Sequence, residues 1–140
     1  MYRRILVALE NGRADEALVS HVTRLAGLFH SHLLLVHVAD GWAARHFDAL
    51  KLSQSEEMQA DQNYLDARAA GLRALGLSVS TRLALGDPPA EILKILAGED
   101  CDLVAMGMHG HRLLGDLLFG STISAVRHKS RIPLLLVPSS

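Results

Sequence analysis

Five short apolar runs recur along the chain, separated by longer stretches in which apolar residues return every third or fourth position. Residues 3–9, 31–39, 102–106 and 132–137 are almost continuously apolar, as strands buried on both faces of a parallel sheet must be. Residues 79–85 alternate instead, with Ser80 and Arg82 between apolar neighbours, which predicts an edge strand with one face partly wet. Between the runs, residues 14–29 place Ala14, Ala17, Leu18, Val22, Leu25, Leu28 and Phe29 on one helical stripe. A long helix is predicted over residues 53–75, closed by Gly76. A third starts at the Asp87 N-cap with Pro88 in its first turn and turns Ile92, Ile95 and Leu96 inward before Gly98. A fourth covers residues 121–129. This alternation predicts an α/β fold: one domain over residues 1–140, an open five-stranded parallel sheet with right-handed crossovers and helices on both faces.

Residues 40–50 show no such period and read as a variable loop or short helix at the carboxyl end of the second strand, the ligand-binding edge of an open α/β sheet. Within them, Trp42 either covers a bound base or closes the loop onto the core.

Composition narrows the picture. With 140 residues, 49% of them hydrophobic, and a mean hydropathy of +0.20, the chain carries enough apolar material for one full core. The net charge is −1 with histidine neutral, and the 14 basic residues form no long run, so nucleic acid is not an expected partner. The single cysteine, Cys101, excludes an internal disulfide and suits a reducing compartment. The opening stretch is interrupted by Glu10 too soon for a signal peptide or membrane span, so a cytoplasmic protein without a membrane partner is expected.

The candidate chemistry concentrates between Asp102 and Val137. The apolar run ending at Met106 feeds a stretch with glycines at 107, 110 and 120, followed by Ser121 and Thr122. A helix opening at Gly120-Ser121-Thr122 turns unpaired amides and the positive end of its dipole into the loop, where anions are favoured. Gly107 and Gly110 permit positive φ and close approach of a ligand to the main chain. The hydroxyls of Ser121 and Thr122 can donate to phosphate oxygens or hold Mg²⁺; capping the helix is their commoner role. No lysine precedes Ser121, and the third glycine stands too far away for the dinucleotide fingerprint, so neither of those phosphate loops is present.

The spacing from Gly107 through Gly110 to Gly120-Ser121 resembles the nucleotide-binding signature of the universal stress protein family. The likeness runs along the whole alternation: ILVALENG resembles the family's first strand and turn, LLLVHV its second strand, LALGDPPAEIL its third-strand-to-helix junction, and IPLLLVP its last strand. The resemblance implies strand order 3-2-1-4-5, with a crevice at the carboxyl ends of the first and fourth strands, where Glu10 and Gly107 face each other. It implies ATP with Mg²⁺ as the cofactor, the metal held through the phosphates and Ser121. The cofactor-binding set it implies is Ala8, Glu10, Val38, Met106, Gly107, His109, Gly110, Arg112, Gly120, Ser121 and Thr122. Glu10 stands where nucleotide-binding members usually have Asp against the adenine or ribose. Gly12 replaces a serine often found there, and Val38 matches the residue whose backbone meets adenine.

Other residues are open to two readings. His109 is a donor near phosphate or ribose, or a solvated histidine; Arg112 neutralises phosphate, or pairs with Asp116 at the surface. The eight histidines are scattered, and His109 with His111 lacks a carboxylate or cysteine beside it, so no metal site is expected from side chains alone. Leu113, Leu114, Leu117, Leu118 and Phe119 give the spacer one apolar side, expected to pack on the protein's own helices. The last strand, with Ile132 and Val137 at its ends, becomes a sheet edge under the family order, and an apolar edge invites pairing. An antiparallel strand-to-strand homodimer through residues 132–137 follows as an expectation, and the family often forms one.

Three functions compete. The first is a small regulatory, stress-response protein holding ATP in the crevice, with a client protein the sequence does not name. The second is a dimeric interaction protein of the same fold without nucleotide, favoured by Glu10 and Gly12. The third is a slow ATPase in which Asp116 positions water; the absence of a P-loop lysine and of an evident base argues against it.

Overall fold

The computed structural model describes the backbone over residues 1–39, 51–108 and 114–139, and side chains over residues 1–39, 56–108 and 120–139. The elements are β1 (Arg4–Ala8), α1 (Ala14–Phe29), β2 (His32–Ala39), α2 (Lys51–Ala74), β3 (Ser78–Leu85), α3 (Pro88–Gly98), β4 (Leu103–Met108), α4 (Leu114–Lys129) and β5 (Leu134–Pro138). The strands form one parallel sheet in the order β3-β2-β1-β4-β5, as expected.

β1 is central, and its apolar run is explained by its place. Ile5 and Val7 face a layer made by Leu18, Val22 and Ala26 of α1 with Leu65, Ala69 and Leu72 of α2. Leu6 and Ala8 face the opposite layer, made by Ile92, Ile95 and Leu96 of α3 with Val126 of α4. With helices on both faces, no position in β1 beyond Arg4 is left for a polar side chain, and Ile5, Leu6 and Val7 are 0% exposed. The alternating β3 lies at one edge and β5 at the other.

The helix ends follow local chemistry. Asp87 accepts the amide of Ala90 at the start of α3, with Pro88 in the first turn. After α2, Gly76 takes φ +90°, and the amides of Gly76 and Leu77 reach back to the carbonyls of Arg73 and Leu72. This pair of bonds needs a left-handed residue at Gly76. At the amino ends of the strands, Asp102 accepts the amides of Arg3 (2.8 Å) and Arg4 (3.0 Å), tying β4 to β1. Burial pushes the Asp102 carboxyl up, but these backbone donors outweigh it and hold the group below its ordinary value.

Two local expectations are corrected. The last helix runs over Leu114–Lys129, so Gly120, Ser121 and Thr122 lie about two turns into it and not at its start. The leucines of the spacer carry the helical period through this stretch, and a glycine inside a helix costs only about 1 kcal/mol relative to alanine, too little to end it. Gly107 is likewise not a loop residue: it lies in β4, pairs with Val137, and is absent from the positive-φ glycines. Residues 40–50, with Trp42, and residues 109–113, with His109, Gly110, His111, Arg112 and Leu113, lie outside the described residues.

Candidate functional site

β1 and β4 are neighbours in the sheet, yet the chain leaves β1 into α1 on one face and β4 into α4 on the other. Connections diverging in this way open a crevice at the carboxyl ends of the two strands, the usual ligand position in an open α/β sheet. Ala8 and Met106 are in register across the pair and buried. Glu10 stands two residues past Ala8, and Gly107 follows Met106, so the sheet brings these four predicted residues to one edge. Val38, partly buried near the end of β2, packs on the same core layer as Ala8 and Met106.

Further along α4, Gly120 and Ser121 are exposed and Thr122 is 1% exposed. Inside the helix their amides serve intrahelical bonds, so the helix-start N–H groups expected at Gly120-Ser121-Thr122 are not unpaired there. His109, Gly110 and Arg112, and the side chain of Asp116, lie outside the described residues.

Gly107 has a packing reason to lack a side chain. A Cβ built there would stand 2.9 Å from the Cβ of Ala14, closer than such atoms come. The first turn of α1 therefore seats itself on the bare backbone of β4. Gly12 lies against the Glu10 side chain, and a Cβ there would come to 3.4 Å of Glu10 Oε1, an ordinary contact distance.

The residue that the sequence reading missed is Asp15. It is 1% exposed, and its carboxylate accepts three consecutive amides of the β1–α1 turn: Glu10 (3.0 Å, to Oδ1), Asn11 (2.8 Å) and Gly12 (3.4 Å, both to Oδ2). Tyr64 of α2 donates its hydroxyl to the same carboxylate at 2.6 Å. Burial, followed by this hydrogen bond to a carboxylate, pushes the Tyr64 phenol up to about 12. It therefore remains a donor at any physiological pH. Arg68, one turn on, reaches the Tyr64 oxygen at 3.2 Å and pairs with Glu16 at 3.0 Å.

A second tie joins α2 to the same edge. His37 lies between the Leu9 carbonyl (2.8 Å from Nδ1) and Asp61 of α2 (3.4 Å from Nε2), and Asn11 donates to Asp61 at 3.4 Å. The sequence signal for Asp15 was an acidic residue in the first turn of a helix, which is commonplace on a solvated surface. Its burial follows from α2 closing over it.

Among the described residues no three His, Cys, Asp or Glu side chains are grouped to hold a metal ion, and no helix is long and apolar enough to cross a membrane. Cys101 is buried, and burial pushes its thiol up.

A parallel sheet whose order reverses between β1 and β4 defines the class: a doubly wound α/β fold, of the kind in which ligands bind at that switch point. Comparison with known proteins makes this specific. A model of the Universal stress protein family matches residues 1–138, and the chain belongs to that family. The universal stress protein MJ0577 of Methanocaldococcus jannaschii is 27% identical over 98% of this chain and 95% of its own. Its solved structure superposes with a TM-score of 0.87 at 28% identity, covering 100% and 98% of the two chains. An Archaeoglobus fulgidus universal stress protein solved in complex with dAMP gives a TM-score of 0.71 at 19% identity, covering 97% and 98%. Another family member, solved with cAMP, gives 0.72 at 17%, covering 99% and 98%.

Proposed function

We propose that this universal stress protein is a small regulatory protein that binds an adenine nucleotide, ATP with Mg²⁺, at the carboxyl ends of β1 and β4. The observation that carries the reading is the topological switch point between β1 and β4, with Glu10 just past one strand and Gly107 near the end of the other. The dAMP and cAMP complexes of two family members support the choice of an adenylate.

In this reading Ala8 and Met106 form the floor through their backbones. Glu10 and the backbone of Val38 meet the adenosine. Gly107, His109, Gly110, Arg112, Gly120, Ser121 and Thr122 serve the phosphate side, with Ser121 contributing its hydroxyl. Thr122, on the buried face of α4, acts by packing the helix that carries Ser121. Mg²⁺ needs no protein cage of its own, because nucleotide phosphates and water supply most of its oxygens.

The test is direct. Nucleotide-free protein titrated calorimetrically with ATP-Mg²⁺ should give saturable heat, and ligand released from freshly purified protein should run with an adenylate on chromatography. No heat together with no released nucleotide overturns the reading and leaves the interaction-protein alternative. In the same proposal two copies pair through β5, whose Leu134, Leu135 and Leu136 are only half-buried on an edge. Light scattering at micromolar concentration should return twice the 15.2 kDa chain mass.

A further inference from the structure

We propose that Asp15 is the resident anion of the crevice: its carboxylate fills the amide nest of the β1–α1 turn, shapes that turn for the uncharged end of a ligand, and bars phosphate from that wall. The proposal rests on the nucleotide reading only for the identity of the ligand.

Three successive backbone N–H groups converging at the start of a helix make a concavity suited to a phosphate or other anion. Here the concavity is already filled, by a side chain 1% exposed that takes the amides of Glu10, Asn11 and Gly12 and the hydroxyl of Tyr64. These four donors leave no unpaired N–H or O–H within the nest for an incoming oxygen. The N-cap position of α1 is Arg13, which makes no side-chain capping bond, so Asp15 supplies the negative charge that the helix start would otherwise draw from outside.

The Glu10 side chain lies on the same wall, beside Gly12. A phosphate brought there meets the repulsion of the buried Asp15 carboxylate and gains no donor from the turn. A base or ribose meets none of that repulsion. The wall is therefore selective by charge, and Asp15 is a positioning residue that acts through the turn it holds.

The test uses the full chain with four probes: adenosine, ATP-Mg²⁺, inorganic tripolyphosphate and formate. Asp15→Ala should weaken adenosine binding by about tenfold, the equivalent of one charged hydrogen bond lost from the turn. It should also shift the amide resonances of Glu10, Asn11 and Gly12. Formate at tens of millimolar should restore both the affinity and the resonances in the variant and do nothing to the wild type; burial alone predicts no such rescue. Asp15→Asn, nearly isosteric and so kept as the second variant should the alanine fail to fold, should gain tripolyphosphate affinity while losing adenosine affinity.

Unchanged turn resonances in a folded Asp15→Ala, or shifted resonances that formate does not restore, overturn the proposal. So does an Asp15→Asn that binds tripolyphosphate no better than wild type. If wild type itself binds neither adenosine nor ATP, the nucleotide reading falls, and the formate response of the three amides still decides the role of Asp15.

Discussion

The two sides of the switch point, the β1 wall and the β4 wall, are built by opposite means. On the β1 side the turn is held by charge: a buried carboxylate gathers three amides and a phenol, and α2 is fastened over it. On the β4 side the strand end is shaped by absence, a missing side chain at Gly107 into which Ala14 fits. Ala14 and Asp15 are consecutive, so one turn of α1 serves both walls, the first by shape and the second by electrostatics. A wall fixed by packing tolerates no added atom; a wall fixed by hydrogen bonds tolerates volume changes better than loss of a partner.

The sharpest way to break this contrast is Gly107→Val. Its Cβ would press on Ala14, and overpacking of this kind should cost about 3 kcal/mol, read as a lower midpoint in urea. Gly107→Ala should cost less, and pairing it with Ala14→Gly should recover part of the loss; equal stability of the single and double variants would show that Ala14 is not the obstacle. Next in size, Ser121→Val should weaken ATP by about fivefold through loss of one hydroxyl bond and leave adenosine untouched. Equal losses for both ligands would place Ser121 away from the phosphates.

Tyr64→Phe is the matching probe of the β1 wall and should cost about 1 kcal/mol. Because the folded phenol titrates near 12 against an ordinary value of 10.0, its stabilising effect is complete below the lower value and disappears as pH rises through the higher. The wild-type advantage over Tyr64→Phe should therefore shrink in denaturation series carried into that alkaline window. The smallest expected effect is a null one: Cys101, buried and with its thiol pushed up, should not react with a thiol reagent until the protein is unfolded.

The fold was legible because strands covered on both faces have no room for polar positions, so their apolar runs and the helical stripes between them survive in the sequence as an alternation. Asp87 with Pro88 and Gly76 marked helix ends because their local chemistry is self-contained. The site was legible as a place more than as a set of contacts. Gly107 was recognised as significant, but its reason lay in Ala14, 93 positions earlier, and no local pattern records such a meeting. The glycine and serine at 120 and 121 suggested a helix start because those residues often stand there; the leucines before them carry the period back to Leu114. Asp15 was invisible for a third reason: whether an acidic side chain in a first turn is solvated or buried depends on what packs over it, and Tyr64 comes from a helix two elements away.

The central position of β1 also governs when the molecule can form. Ile5 pairs with Leu103, and Arg3 is joined to Asp102 across 99 positions, so the innermost strand is made first and lacks one of its neighbours until most of the chain exists. Until β4 follows, β1 can be paired along its β2 edge and covered by α1 on one face, while its other edge stays open. Contacts this distant in sequence slow the search for the native arrangement, and exposure of this kind is what general chaperones recognise.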